Sequence, residues 1–537
     1  MCKVRHGVAR APSDGHDEVW GPMRRTRRRT TTTALAVGAA LALTSCSGGG
    51  GEAAEGPSGS ETLDIATMTA AASMDPVDAG GGTIPYYQAV YDTLVKREPD
   101  GTYSPMLATG WEYDDARTAL TLTLRDDVTF DDGTPLDAAA VAANLERFTE
   151  AGGPESVQAA SVESVEAVDP TTVVIRLSAP DPALVNSLSD AFGFVANPAR
   201  FGEEEPFATE PDGTGPYELD GDETIIGSRW TFVRDDDYWG EAAPFETMTI
   251  SVFDNENAIV NGLRTGQINA AVLQSVDQQI AAEADPGLTL TPQEIDLKLF
   301  NVFDRSGQMV PALGDVRVRQ AINHAIDRET LVEQIQQDRG TATAQIWGVS
   351  APGYVEELDD AYEHDPGQAR ELLAEAGHAD GVSFTLARLP ALVPDALAAA
   401  LQTDLADVGI SLSWEDVDQS SFVQRTFFQR EFPGVVMNGG QPALDWATVS
   451  GSILPGPVSN PQGTTDPTVE ELAAVIRSGD EEAAAEAAEE LNRHIVEQAW
   501  FVPLYRMQYM HTTDRSVTVT PQVGLAVPSI YNYRPTS

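Results

Sequence analysis

From Ala119 to Arg125 apolar and polar positions alternate, with Leu120, Leu122 and Leu124 interleaved by Thr121 and Thr123. A two-residue period of that length predicts a half-buried strand. Asp131-Asp132-Gly133-Thr134-Pro135 then predicts a tight turn, and Asp137 stands where a helix carrying Val141, Leu145 and Phe148 on one face needs its cap. The period changes from two to 3.6 within a few residues. A second helix is predicted from about Val316 to Ile326, with Asp315 as cap and Val318, Ala321, Ile322, Ala325 and Ile326 on one stripe. A third follows Asp365-Pro366, carries Ala369, Leu372, Leu373 and Ala376, and ends at Gly377. The segment Glu481 to Leu491 is amphipathic and strongly acidic, which predicts a helix with a solvated face. Alternation of strands, turns and helices along the chain argues for an α/β architecture.

With 537 residues and 42% hydrophobic content, the chain is expected to divide into two or more lobes. The formal net charge is -50, and the first 46 residues oppose it, since they hold eight Lys or Arg and three Asp or Glu. The remainder carries 25 basic and 80 acidic residues, a net of -55. So acidic a surface repels nucleic acid and anionic headgroups, which excludes both as partners. Only Cys2 and Cys46 occur, too few for a disulfide framework once either is removed or modified.

The basic run Met23-Arg24-Arg25-Thr26-Arg27-Arg28-Arg29 precedes an apolar stretch from Ala34 to Leu43 and then Leu43-Thr44-Ser45-Cys46. A basic region, about ten apolar residues and small residues before a cut have the anatomy of a secretory signal, too short to span a bilayer permanently. Translation is expected to start at Met23. The last four residues resemble a bacterial lipobox, whose cysteine receives diacylglycerol, and this makes Cys46 the expected anchor. Residues 47–60 are rich in Gly and Ser, a flexible tether with a reach on the order of 20 Å.

Three stretches carry a family resemblance: Leu107-Ala108-Thr109-Gly110-Trp111, the run Leu120 to Pro135 with Arg125-Asp126 and Phe130-Asp131-Asp132-Gly133, and Ala138-Ala139-Ala140-Val141. Further landmarks follow in order. They are Asp75-Pro76, Val90-Tyr91-Asp92-Thr93-Leu94, Gly213-Thr214-Gly215-Pro216-Tyr217, Asp237-Tyr238-Trp239-Gly240, Val316-Arg317-Val318-Arg319-Gln320-Ala321 with Ala325-Ile326-Asp327, and Leu372 to Gly377. Together they resemble the family 5 extracellular solute-binding proteins, the peptide- and nickel-type receptors of ABC importers.

The resemblance implies a type II periplasmic-binding-protein fold with two lobes joined by a two-strand hinge and an additional inserted domain. Lobe one would comprise residues 61–97, 201–297 and 504–537, the inserted domain 98–200, and lobe two 298–503. The hinge would use Leu297 to Asn301 and Phe501 to Tyr505, both short apolar runs. It further implies a monomer outside the cytoplasm, held to the outer face of the membrane through Cys46. Its partners would be a small or peptide ligand and the membrane subunits of a permease, with neither cofactor nor metal.

Arg388, twenty residues before Val408-Gly409-Ile410, resembles in position an arginine that grips the ligand carboxylate in dipeptide-type members; a surface Arg at a strand end is the other reading. Where those members present an aromatic residue and an Asp after a strand, this chain continues from Val435-Val436-Met437 into Asn438-Gly439-Gly440-Gln441-Pro442-Ala443-Leu444-Asp445-Trp446. Gly439 fills the aromatic slot. Asp445 either binds the ligand amine a few residues late or caps the next helix. Asn301, Trp446, Thr83 in the Gly80-Gly81-Gly82-Thr83 loop, and Tyr86 complete the candidates. The glycines suit a close ligand approach and equally an ordinary loop.

A secreted hydrolase is the rival of another class. The chain has no Gly-x-Ser-x-Gly elbow and no His-Glu-x-x-His, and His324, His364, His378, His494 and His511 lack ligand spacing. Within the same fold, an oligosaccharide, an opine or a metal chelate is the alternative cargo. Replacing Cys46→Ser is expected to abolish fatty-acid incorporation and release the protein from the membrane. Metabolic labelling with a radioactive fatty acid checks this, and a variant that remains labelled and membrane-bound refutes the anchor.

Overall fold

A computed structural model of the protein describes residues 61–202, 207 and 209–537. Cys46, the signal-like region and the tether lie outside the described residues.

The predicted alternation at Ala119–Leu124 is a strand with Leu120, Leu122 and Leu124 buried. The predicted caps act as expected. Asp137 accepts from Ala140 N, Asp315 from Arg317 N and Asp365 from Gln368 N. The acidic segment forms the helix Glu481–Glu497, which turns Ala487, Ala488, Leu491, Ile495 and Val496 inward and leaves most of its glutamates outside. Its apolar face packs on the preceding helix Pro467–Ser478.

Eleven strands form one mixed sheet in two halves. In the first half, Thr62–Thr67 lies parallel to both Thr247–Val252 and Ala270–Leu273, and Arg229–Arg234 and Tyr217–Leu219 extend the edge. In the second, Val382–Arg388 lies parallel to Ile410–Asp416 and meets Gly434–Gly440. Two long strands, Thr289–Val302 and Phe501–Thr513, join the halves by an antiparallel ladder from Thr289↔Thr513 to Asn301↔Phe501. The apolar runs expected at the hinge occupy the inner end of this ladder, which is irregular between Glu294 and Asp296 and again between Lys298 and Leu299. Such bulges sharpen twist and bend locally.

Side chains alternate across the first of these strands. Leu297 and Leu299 join Trp347, Trp446 and Leu491 on one face, while Phe300 and Val302 join Val318, Ile322 and Phe384 on the other. A separate four-stranded antiparallel sheet, Ala108–Tyr113, Ala119–Leu124, Thr172–Leu177 and Val162–Asp169, shares its core with the first half through Leu120, Leu122, Val173 and Ile175.

Two buried arginines stand in this region, Arg319 within the Val-Arg-Val-Arg-Gln-Ala landmark and Arg328 just after Asp327. Arg319 donates to Leu313 O at 2.7 Å and Gln498 O at 2.8 Å, and Arg328 donates to Pro503 O and Asn323 O, both at 2.8 Å. Burial lowers each guanidinium to about 10, so both remain cations at neutral pH and bind chain carbonyls that would otherwise be unpaired. Arg328 thereby holds the second long strand at its inner end.

Asp92 does the corresponding work in the first half. Its carboxylate accepts from Trp239 Nε1 at 2.7 Å, Tyr238 Oη and Tyr531 Oη at 3.0 Å, and Thr214 Oγ1 at 3.1 Å. Three family landmarks and the C-terminal segment therefore meet on one carboxylate. Burial pushes it up to about 6 against the pull of its four donors. A native pKa above the unfolded one means that the folded state takes up its proton first as pH falls. This contribution is full below the unfolded value near 3.8 and is lost as pH rises through about 6. Asp92→Asn is expected to cost about 1–3 kcal/mol at pH 7, because a neutral amide offers a single acceptor to the four donors. The stability gap between wild type and variant should widen by up to about 3 kcal/mol from pH 7 to pH 4. Denaturant titrations at the two pH values check this, and a gap independent of pH contradicts the assignment.

Candidate functional site

In open α/β sheets ligands sit beyond the carboxyl ends of the strands. In the second half, those ends lead into the loops after Arg388, Asp416 and Gly440. In the first half, Thr67 leads into a loop that ends in Gly80 to Thr83. Thr83 Oγ1 donates to Gly80 O at 2.8 Å and accepts from Gly80 N at 3.2 Å, which closes that loop on itself.

The Gly-rich loop of the second half is anchored by Lys298, a buried lysine on the first long strand. Its ammonium donates to Leu392 O at 2.8 Å and to Asn438 Oδ1. Burial lowers it to about 8, with Asp296 acting in the opposite direction. One cation thus ties the long strand to the loop after Arg388 and to the neighbouring strand two residues before its end at Gly440. Gly439 is opposite Leu297 in the ladder, and a Cβ there would lie 3.0 Å from Leu299 Cδ2.

The other expected site residues are engaged inside the protein. Arg388 Nε donates to Asp416 Oδ1 at 2.6 Å and Arg388 Nη1 to Asp395 Oδ1 at 2.7 Å, which holds its guanidinium between two exposed carboxylates. Asp445 is buried and accepts from Gly353 N at 2.9 Å and Trp347 Nε1 at 3.0 Å. Leu444 occupies the cap position of the following short helix, so Asp445 fastens a neighbouring segment instead of capping. Gly353 permits that contact, because a Cβ there would come within 2.8 Å of Asp445 Oδ1 and Trp347 Nε1. Asn301 donates to Ser459 O and accepts from Arg305, and Tyr86 is buried with its hydroxyl on Thr69 O. Trp446 is buried beneath Arg477, whose guanidinium carbon lies 5.3 Å from the ring centre.

Two further contacts connect the inserted sheet's region with the second half. Arg477 Nε donates to Pro180 O at 2.7 Å, and Arg117 Nη1 to Gly479 O at 3.4 Å. On the first half, the C-terminal segment reaches the Gly-rich loop at Gly524. Its φ is +72°, and a Cβ would lie 3.1 Å from Ala443 N and 3.2 Å from Arg97 Nη2. Beneath this meeting point is a pocket whose wall includes Gly81, Gly82, Arg97, Asp190, Gln522 and Leu525. Gly81 and Gly82 belong to a loop singled out by sequence, whereas Arg97, Asp190 and Gln522 stand in no motif and meet only through the fold.

Two half-sheets joined by a pair of crossing strands, with loops from both halves meeting above a pocket, define a two-lobed binding protein of the type II periplasmic-binding-protein fold. The model of the bacterial extracellular solute-binding proteins, family 5 (Middle), matches residues 102–456, and the chain belongs to that family. The family is one of binding proteins rather than enzymes. Among curated relatives, the glutathione-binding protein GsiB of Salmonella paratyphi A is 30% identical over 330 residues, which cover 58% of this chain and 61% of GsiB. GsiB of Escherichia coli O157:H7 is 30% identical over 327 residues with the same coverage. The chain thus matches about three fifths of the length of these relatives. Among solved structures, NikA of Brucella suis in complex with Fe(III)-EDTA aligns with a TM-score of 0.75 at 23% identity, over 88% of this chain and 99% of NikA. DppA of Helicobacter pylori in complex with the peptide STSA aligns with a TM-score of 0.72 at 20% identity, over 89% and 99%. At those identities the likeness concerns the fold.

Arg477→Ala is expected to cost about 1 kcal/mol, through loss of the stacking on Trp446 and of the bond to Pro180 O. It should also enlarge the ligand-free protein's radius of gyration in small-angle scattering. An unchanged scattering profile contradicts a role for this contact in holding the halves together.

Proposed function

We propose that the protein is the extracytoplasmic receptor of an ABC importer. It captures a peptide or similar small solute between its lobes and delivers it to a membrane permease, without catalysing a reaction. In this reading it is a monomer tethered by a lipid on Cys46 to the outer face of the cell membrane. Lobe one is formed by residues 61–97, 201–297 and 504–537, with a domain inserted at 98–200, and lobe two by 298–503. Asn438, Gly439 and Thr83 belong to the loops that bound the cleft.

The observation that carries the proposal is the ladder between Thr289–Val302 and Phe501–Thr513, among the described residues the sole strand pairing between the half-sheets. Halves joined in this way can rotate about a few residues, and a solute that touches both sides favours the closed population by its differential affinity. Closure then signals occupancy. A peptide-like cargo is supported by the family's match and by the glutathione-binding relatives.

A thermal-shift panel tests the cargo class. At a hundred times its Kd a ligand stabilises the folded state by about 2.7 kcal/mol. Glutathione or the peptide Ser-Thr-Ser-Ala is expected to raise the melting temperature, and maltotriose and nickel-histidine are expected to leave it unchanged. A shift by maltotriose or the chelate alone removes the peptide cargo, and release of cleaved peptide would replace the receptor with a hydrolase.

A further inference from the structure

Three charged residues line the pocket beneath Gly524: Lys96 is paired with Glu98 at 3.3 Å, whereas Arg97 and Asp190 carry opposite charges that the protein leaves apart. Arg97 donates through Nη2 to Val523 O at 2.9 Å, its Nε has no hydrogen-bond partner, and it forms no ion pair among the described residues. Gln522 Nε2 donates to Arg97 O at 3.2 Å, which fixes the backbone beneath it. Asp190 accepts from Gln158 Nε2 at 3.1 Å and likewise has no ion-pair partner among the described residues. The same amide reaches Glu155 Oε2 at 3.4 Å, and Glu155 in turn stands against Gly80, where a Cβ would lie 2.8 Å from its Cγ. The acidic wall therefore adjoins the Gly-rich loop and the basic wall adjoins the C-terminal segment.

Unpaired charges in a concave, poorly solvated site are costly, and flexible side chains of opposite sign normally close on each other. Here each is held by a different neighbour, so the separation is built in. Burial raises the Asp190 carboxyl, and the bonds from Gln158 and Ala191 N offset this more than Arg97 does, as expected when Arg97 shares the cavity without touching the carboxylate. A ligand bearing a cation at one end and a carboxylate at the other would satisfy both walls without reorganising either. Arg388 and Asp445 cannot do so in this conformation, since both are spent on internal bonds.

We infer that Asp190 and Arg97 are charge anchors on the lobe-one side of the cleft, where every lining residue of the pocket lies, and that the ligands are small zwitterions whose amine faces Asp190 and whose carboxylate faces Arg97. This rests on the solute-capture reading above, which it narrows to a ligand class with two named determinants.

Isothermal titration calorimetry on the full chain in detergent, using glutathione and Ser-Thr-Ser-Ala with their N-acetylated and C-amidated forms, tests it. Wild type is expected to bind at least one parent peptide and to lose about ten- to hundredfold in affinity for each blocked form. Asp190→Asn should weaken the parent to the level of its N-acetylated form while retaining discrimination against the amide; Arg97→Gln should do the converse. Asp190→Ser replaces Asp190→Asn should the latter fail to fold. Variants that still discriminate as wild type does overturn the two anchors and leave solute capture standing. Binding of maltotriose or nickel-histidine with no binding of either peptide overturns the ligand class as well.

Discussion

An ionised carboxylate without water around it is tolerable only when donors surround it, and Asp92 gathers four. The donors come from the chain's return at Thr214, from Tyr238 and Trp239, and from Tyr531 near the C-terminus. The first half-sheet is assembled from stretches far apart in sequence, and this node fixes their relative positions. Both sides of the pocket depend on it. Tyr531 belongs to the same C-terminal segment that carries Gln522 and Gly524 to the Gly-rich loop, while Asp92 stands two residues beyond the helix Ile84–Val90, whose cap residue is Thr83.

The second constraint is the strand ladder. A sheet interrupted by a single pair of long strands is stiff along the strands and compliant across their irregular registers, and the bulges lie at the ladder's inner part. Lys298 and Arg328 then attach that compliant section to lobe two by side-chain bonds to Asn438, Leu392 O and Pro503 O. Arg477, lying on Trp446 and reaching Pro180 O, closes the same loop region from the opposite side.

Much of the fold could be read from the sequence because its signals are local. The alternation at Leu120 to Leu124, the caps Asp137, Asp315 and Asp365, and the landmarks around Arg319 each depend on neighbours within one turn or one strand. The site was less legible. The Gly-rich loop at Gly80 to Thr83 was recognised, whereas Asn438 to Gly440, read as a loop, end the strand Gly434–Gly440, and the side chains that face a solute are chosen by long-range packing. Arg388 has the residue type for a carboxylate and ends a strand at the expected edge, yet Asp395 and Asp416 stand beside it. Asp445 offered two local roles and took a third, because Gly353 brings a backbone N–H to its carboxylate. Arg97 and Asp190 belong to no motif, and nothing short of the folded chain brings them to one pocket.

The central claim is that the lobes close on a solute at the junction of the Gly80 to Thr83 loop, the C-terminal segment and the Gly-rich loop of lobe two. A crystal structure of the protein with the cargo it carries from its own cells tests this most directly. The account predicts density for a small molecule above Gly81 and Gly82, in contact with residues of both lobes, and a shorter interlobe distance than in the emptied protein. Density confined to one lobe, or lobes in the same relation with and without cargo, would contradict it.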